Sequence, residues 1–370
     1  MKLHRHRARV ARREDRDDAG LAPVVLGLLA VLLAAAIAAT PALSAERFEL
    51  RGEHVAIYNL AGEVTLEPGS GSAVVVHVTR GGRDADELDI RTGPIGDDET
   101  LRVIYPSRRI HYERGMGWGS SATVRVGDDG RFGDRDGRLS RDRVTISGGS
   151  GLDAHADLRI EVPKGQALSL YLAVGEAAAE RIEGELRLDV AAAGVVTRST
   201  RGKLVIDVGS GGVEVNGAEG DVNVDTGSGS VDLLKIRGGE LLVDTGSGRV
   251  SAVDVEVSRL SVDTGSGGVE LGMVKAADVH VDTGSGRVMI DLTSDIESLS
   301  VDTGSGGVTV RMPESAGAEI SIETGSGGIR SDLPIEITRK DRDTLRGRIG
   351  DGSGHIVIET GSGGVRLLRR

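Results

Sequence analysis

Apolar and polar residues alternate in short runs through residues 166–370, and glycines interrupt these runs at a nearly constant interval. Each unit reads apolar-x-apolar-acid-Thr or Val, then Gly-Ser-Gly, then x-Val-x-apolar. Ten residues hold the same anchor position of this unit: Tyr171, Asp189, Asp207, Asp225, Asp244, Asp263, Asp282, Asp302, Glu323 and Glu359. Their spacings of 18, 18, 18, 19, 19, 19, 20, 21 and 36 residues are typical of stacked coils. The pattern predicts an all-β, single-chain β-solenoid of about ten coils, each of 18–21 residues.

Residues 260–273 illustrate one coil, with two strands joined by a turn at residues 265–268. Asp263 and Glu270 are expected to face solvent, because successive side chains of a strand point to opposite sides. The turn glycines are expected to supply backbone angles that other residues resist. The same alternation places six side chains of this coil inward: Leu260, Val262, Thr264, Val269, Leu271 and Met273.

Two stretches depart from the repeat. Residues 46–165 predict an irregular N-terminal β region, in which the Arg-, Asp- and Gly-rich residues 107–150 form a polar insertion. The final 36-residue interval carries a charged run at 339–348 and the Gly-rich stretch 350–354. Because the end of a solenoid should not expose a bare strand edge, we interpret residues 335–355 as a capping insertion of the solenoid at 166–370.

Residues 1–45 have the pattern of an export segment. A basic flank is followed by an unbroken apolar run at residues 21–39. As a helix, this run would measure about 28 Å, close to the thickness of a bilayer core. The flank should stay cytoplasmic and the rest of the chain should be translocated to the periplasm or cell surface. Either a membrane anchor or a signal peptide cleaved near Ala45 fits, and only the anchor would leave the protein attached to the membrane.

Composition narrows the classes of function. The net charge of −12 disfavours nucleic acid as a partner, since nucleic-acid binding requires a clustered basic face. The chain has no cysteine, which excludes disulfides and cysteine-based metal sites. The seven aromatic residues all precede residue 172, so the repeat offers no stacking platform for sugars.

Several segments resemble one bacterial family. They are residues 57–66, with the sequence IYNLAGEVTL, the VPKG stretch at 162–165, the stacked TGSG units, and Gly350-Asp351-Gly352. Together they resemble the bacterial "putative adhesin" family of unknown function, the DUF4097-type β-solenoids, over about residues 48–370. The resemblance implies a β-solenoid, in a family whose members also occur near envelope-stress signalling genes. It implies no catalytic residues, since none are established for the family, and the insertion at 107–150 is not part of its pattern.

The repeated Asp-Thr-Gly-Ser-Gly motif permits three interpretations. It matches the aspartic protease signature, but a protease needs two such loops facing each other, not five at a 19-residue pitch. The carboxylates should instead stack about 4.8 Å apart on neighbouring strands, where Ca²⁺ would offset their repulsion. The third interpretation is a hydrated acidic row without a metal. The metal candidates are Asp225, Asp244, Asp263, Asp282 and Asp302.

The functional expectation is a non-enzymatic, exported cell-envelope β-solenoid that acts as an adhesin or interaction scaffold. Its partner would be an envelope or surface protein or a glycan, with no cofactor. The main alternative is a membrane-anchored accessory protein of envelope-stress signalling. A polysaccharide-acting β-helix enzyme is a weaker alternative, and only the insertion is long enough to host its site. There, an acidic group could be bound by four residues: Arg108, Arg109, His111 and Tyr112.

Overall fold

The computed structural model describes residues 45–114, 121–133 and 141–370. The chain divides into two units, Met1–Ala42 and Leu43–Arg370, and the described residues all belong to the second. The basic flank and the apolar run at 21–39, with the helix predicted for it, lie outside the described residues. Among the residues that are described, no helix is long and apolar enough to cross a membrane.

The described residues of the N-terminal part form nine strands and one short 3₁₀ helix at Ala85–Glu87. The strands are β1 (Glu46–Leu50), β2 (His54–Gly69), β3 (Val74–Gly81), β4 (Asp89–Ile95), β5 (Asp98–Ile104), β6 (Arg109–His111), β7 (Ser121–Gly127), β8 (Arg141–Ser147) and β9 (His155–Pro163).

The repeat begins with twelve strands, which follow one another with short turns. They are β10 (Gln166–Glu180), β11 (Gly184–Arg201), β12 (Leu204–Ser210), β13 (Val213–Glu219), β14 (Val222–Ser228), β15 (Val231–Thr245), β16 (Val250–Thr264), β17 (Val269–Lys275), β18 (Asp278–Thr283), β19 (Val288–Leu292), β20 (Ser298–Thr303) and β21 (Val308–Met312). Six strands complete the chain: β22 (Ala318–Thr324), β23 (Ile329–Ser331), β24 (Glu336–Lys340), β25 (Thr344–Ile349), β26 (Gly354–Thr360) and β27 (Val365–Arg369).

The repeat forms two ladders of parallel strands. We call the first the acidic ladder, because it carries the anchor positions; its spatial order is β2, β10, β11, β12, β14, β15, β16, β18, β20, β26 and β22. The second ladder runs β2, β10, β11, β13, β15, β16, β17, β19, β21, β27 and β23. This parallel stacking is a β-solenoid, as the periodicity predicts.

Strand alternation builds the core between the ladders. Val262, Val281 and Val301 are register partners on three successive strands, and each is at most 1% exposed. Their neighbour His280 points outward. Each coil therefore buries its aliphatic side chains against the equivalent side chains of the coils on either side, so no coil is stable alone.

The N-terminal region continues this solenoid. Strand β2, predicted to belong to the irregular region at residues 46–165, pairs in parallel with β10 and puts Tyr58 opposite Tyr171. The hairpin β4–β5 covers the first half of β2, while β9, β3 and β1 extend from its second half. The insertion at 107–150 contains a three-stranded sheet in the order β6, β8, β7.

The C-terminal coils do not stack in the order of the chain. Strand β26 lies between β20 and β22, so Asp302 is opposite Glu359, and Glu359 is opposite Glu323. In a stack that followed the order of the chain, Asp302 would instead lie opposite Glu323, and Glu359 would come last. The hairpin β24–β25 then pairs antiparallel with the outer side of β22.

A column of left-handed residues interrupts the alternation within or directly after six neighbouring strands of the second ladder: β10, β11, β13, β15, β16 and β17. Arg181, Ser199, Gly217, Lys235, Asp254 and Met273 have φ between 51° and 79°. A left-handed residue shifts the alternation by one, so the next residue turns inward. Met273, predicted inward, is therefore 46% exposed, and Val274 is fully buried in its place.

Candidate functional site

In the Asp-Thr-Gly-Ser-Gly units from Asp244 onward, the threonine hydroxyl accepts a hydrogen bond from a glycine N–H of the turn. Thr264 is fully buried, and its Oγ1 accepts a hydrogen bond from the Gly267 N–H at 3.0 Å. The same hydroxyl donates to the Gly248 carbonyl of the preceding coil at 3.4 Å. Thr283 repeats both bonds one coil later. The threonine thus satisfies buried backbone groups of two coils at once.

The turn glycines allow the coils to approach closely. A Cβ added to Gly267 would lie 1.6 Å from the Gly248 carbonyl oxygen, and one on Gly248 would lie 1.7 Å from the Gly229 carbonyl oxygen. Neither Gly248 nor Gly267 has a φ in the left-handed region. The expectation that these glycines supply unusual backbone angles is therefore wrong for these turns, where the missing side chain is what matters.

The five candidate metal ligands form one outward row. Asp225, Asp244, Asp263, Asp282 and Asp302 are register partners on successive parallel strands of the acidic ladder, and their side chains are exposed or half-buried. A row on a single ladder lacks the facing pair of loops that an aspartic protease requires. Within the described residues, no group of three or more His, Cys, Asp or Glu side chains could hold a metal ion.

Charge accumulates at the middle of this row. Arginines lie near the two ends of the longer series of anchor positions that contains this row. Arg187 lies 3.5 Å from Asp189 and 3.8 Å from Asp207, and Arg346 lies 2.9 Å from Glu323. None of the five central aspartates forms an ion pair with a described residue. Burial, together with the carboxylates of Asp225 and Asp263, raises the pKa of Asp244. The row is thus a continuous anionic strip held at fixed spacing by the backbone ladder.

The acid-binding residues predicted in the insertion do not form an exposed cluster. Arg108 forms an ion pair with Asp142 at 2.7 Å. The Nδ1 atom of His111 lies 2.7 Å from the Gly149 carbonyl oxygen, and the exposed Arg109 lies on the same strand. Tyr112 is only 3% exposed, and burial raises the pKa of its hydroxyl. The tyrosine is a core residue, and its position two residues after the buried Ile110 fits the alternation of β6.

A buried hydrogen-bond network was missed by the sequence analysis. Asn59 is fully buried in β2, and its Nδ2 donates to the Ala156 carbonyl at 2.7 Å. The Tyr105 hydroxyl donates to Asn59 Oδ1 at 2.8 Å, and burial raises its pKa. The network joins β2 to β9 and to the residue after β5. An asparagine in an apolar strand was the available signal, since a buried amide needs partners.

A second missed cluster attaches the insertion to the first coil. The guanidinium of Arg114 lies 3.2 Å from Glu63 Oε1, 3.4 Å from Asp157 Oδ2 and 3.1 Å from His155 Nε2. Because Arg114 can only donate, Nε2 of His155 must be unprotonated in this arrangement. Burial lowers the pKa of His155, which favours the same neutral form. The four residues come from three separate segments of the chain, since only His155 and Asp157 lie on one strand, and no local motif connects the segments.

This chain is similar to two solved structures and to one protein family. No curated protein matches the chain. The solved structure of a putative cell adhesion protein from Clostridium sporogenes is 11% identical to this chain, with a TM-score of 0.22. The similarity covers 88% of this chain and 98% of that one. A putative adhesin from Bacteroides fragilis is 10% identical, with a TM-score of 0.35, and covers 89% of this chain and 98% of its own. Neither likeness bears on function at these values.

The family model described as Toastrack DUF4097 matches residues 136–368, which is more than half of the chain. The match includes all the coils from β10 onward, and it confirms the resemblance drawn from the sequence motifs. The chain therefore belongs to the Toastrack DUF4097 family.

Proposed function

We propose that this protein is a non-enzymatic, exported cell-envelope β-solenoid that acts as an adhesion or interaction scaffold. The observation that carries the proposal is the outward side of the acidic ladder. It presents one side chain per coil at the anchor position, from Tyr58 to Glu323, over eleven aligned strands. A long, regular surface with a fixed backbone suits recognition of an extended partner.

Export is supported by the sequence of residues 1–45, with its basic flank and apolar run. The length of that run favours a second candidate, a membrane-anchored accessory protein of envelope-stress signalling. Fractionation of cells and N-terminal sequencing of the mature protein separate the two. An N-terminus near Ala45 or Glu46 would eliminate the anchored form, and recovery in the cytoplasm would overturn export altogether.

The scaffold itself can be tested by position-specific cross-linking, since the chain has no native cysteine. A photo-cross-linker attached to Ser261→Cys would lie on the outer side of the acidic ladder. The matched control is Glu270→Cys, which lies on the outer side of the second ladder. In intact cells, we expect the first variant to capture one discrete envelope component and the control to capture much less. Equal capture at both positions, or none at either, would argue against a binding surface on the acidic ladder.

A further inference from the structure

The C-terminal coil, β26–β27, fills a slot within the solenoid. Its neighbours on one side are β20 and β21, and on the other side β22 and β23, so both of its edges are hydrogen-bonded in both ladders. Without this coil, β20 and β22 would be separated by two strand spacings, about 9.6 Å, and could not pair with each other. The slot therefore lies between two coils that precede residues 354–369 in the sequence, and the last residues of the chain fill it.

The slot is specific for the repeat sequence. Ile356, Ile358, Val365 and Leu367 of the C-terminal coil are fully buried inside it. The Thr360 hydroxyl donates to the Gly306 carbonyl at 3.1 Å and accepts from the Gly363 N–H at 2.9 Å, as in the regular coils. A segment with this alternation and a Thr-Gly-Ser-Gly-Gly turn is the ligand that the slot fits.

Strands β24 to β27 are one continuous segment of the chain, here called the C-terminal unit, and this unit contacts both sides of β22. The hairpin strand β25 pairs with one side of β22, and β26 pairs with its other side. Only residues 332–335 connect this unit to β23. If these residues opened, the whole unit could leave its own β22 and bind the same surfaces of another molecule.

We propose that two copies of this chain exchange residues 336–370, so that the C-terminal coil of each copy fills the slot of the other. Every contact within the slot is the same in the closed monomer and the exchanged dimer, and only the connection at 332–335 differs. Such an exchange is isologous and joins the C-terminal ends of two solenoids.

Exposed apolar side chains at this end support contact between copies. Ile337 is 51% exposed and Val357 is 40% exposed, and both line one open groove between β24 and β26. Among the described residues, the other large hydrophobic side chain with comparable exposure is Met273, whose outward position follows from its left-handed backbone. Ile337 and Val357 lack such a local cause, and a second molecule joined at this end would cover them.

The exchange can be tested in the full-length protein with paired cysteines and a short bismaleimide cross-linker. Ser300→Cys with Val357→Cys places two thiols on register partners of β20 and β26. The control pair, Ser261→Cys with His280→Cys, places them on register partners of β16 and β18, in a part of the solenoid that is not exchanged. Both pairs lie on the outer side of the acidic ladder, and circular dichroism checks that both variants fold.

Both variants are unfolded and refolded at low and at high protein concentration before cross-linking, and their size is read on a denaturing gel. We expect the 300/357 pair to give covalent dimers whose fraction rises with the concentration during refolding, while the 261/280 pair gives cross-linked monomers only. Cross-linked monomers alone for both pairs would overturn the proposal. Dimers in equal amounts for both pairs would also overturn it, since they would indicate general association and not exchange.

Discussion

At the scale of single residues, the aspartate and the threonine of the Asp-Thr-Gly-Ser-Gly motif lie on opposite sides of the strand and have different roles. The aspartate faces solvent, while the threonine turns inward and satisfies backbone groups of its own turn and of the preceding coil. Thr226 is the instructive exception, because its buried hydroxyl has no hydrogen-bond partner. Its register partner in the preceding coil is Val208. The hydroxyl therefore contributes to stability only where the turn glycine donates to it.

This difference predicts opposite effects for two identical substitutions. Thr264→Val removes the acceptor of the buried Gly267 N–H and should lower the free energy of unfolding by about 1–3 kcal/mol. Thr226→Val removes a hydroxyl without a partner and should be neutral or stabilising. Chemical denaturation of both variants measures the difference. Equal losses would show that the threonine hydroxyl has no special role in the turn.

The left-handed column makes a second residue-scale prediction. Met273 has a φ of 51°, a conformation that a β-branched residue adopts only with strain. Met273→Val should destabilise the protein by about 1–2 kcal/mol, whereas Met273→Gly should be neutral or stabilise it by up to about 1 kcal/mol. Met289→Val, on the neighbouring strand of the second ladder, is the control and should change stability little, since valine suits a regular strand. If the two valine variants melt alike, backbone strain at residue 273 is not the cause.

At the scale of elements, the distance between successive turns sets which glycines are required. Gly267 packs on the carbonyl of Gly248, whereas a Cβ on the adjacent Gly268 would lie 3.6 Å from the Arg287 carbonyl oxygen, an ordinary contact. Two neighbouring glycines in one turn thus have different reasons to be there. The spatial order of the last strands differs from their order in the sequence, because β26 lies between β20 and β22 although it follows both in the chain.

Alanine substitution separates the two glycines. Gly267→Ala should cost about 3 kcal/mol or more, because the backbone of an adjacent coil must shift to admit the methyl group. Gly268→Ala should stay within about 0.5 kcal/mol of the parent protein, because space is available and its φ is not left-handed. Thermal melts of the two variants give the comparison. Similar losses at both positions would mean that turn flexibility, and not close approach, selects glycine here.

At the scale of the whole molecule, the acidic row concentrates negative charge along one side of the solenoid. The raised pKa of Asp244 means that the folded protein binds this proton more tightly than the unfolded chain does. The protonated Asp244 carboxyl contributes its full stabilisation of the fold below the ordinary aspartate pKa of 3.8. This contribution is lost as the pH rises through the higher pKa of the folded protein. The row therefore works against folding at neutral pH, and the buried core outweighs it.

Neutralising the middle of the row should accordingly stabilise the protein. Asp244→Asn should raise the melting temperature at pH 7, with a gain that shrinks towards pH 3 and in high salt. Asp232→Asn, at an exposed position of the second ladder, is the control for removing one negative charge outside the row. Melting curves across pH test both variants. A gain that is the same at pH 3 and pH 7 would contradict repulsion within the row as its cause.

The sequence by itself determined the class of fold, the length of the coil and the inward or outward direction of side chains such as Val281 and Asp263. These follow from a two-residue alternation and a regular spacing, which are local properties of the chain. Tertiary structure alone decided the stacking order of the last coils, because register partners such as Glu359 and Asp302 are chosen by pairing across 57 residues. It also decided the inward direction of Val274, which follows the left-handed backbone of Met273. The contacts of Arg114 with Glu63, His155 and Asp157 join separate segments of the chain, and such contacts leave no spacing that a sequence pattern could reveal.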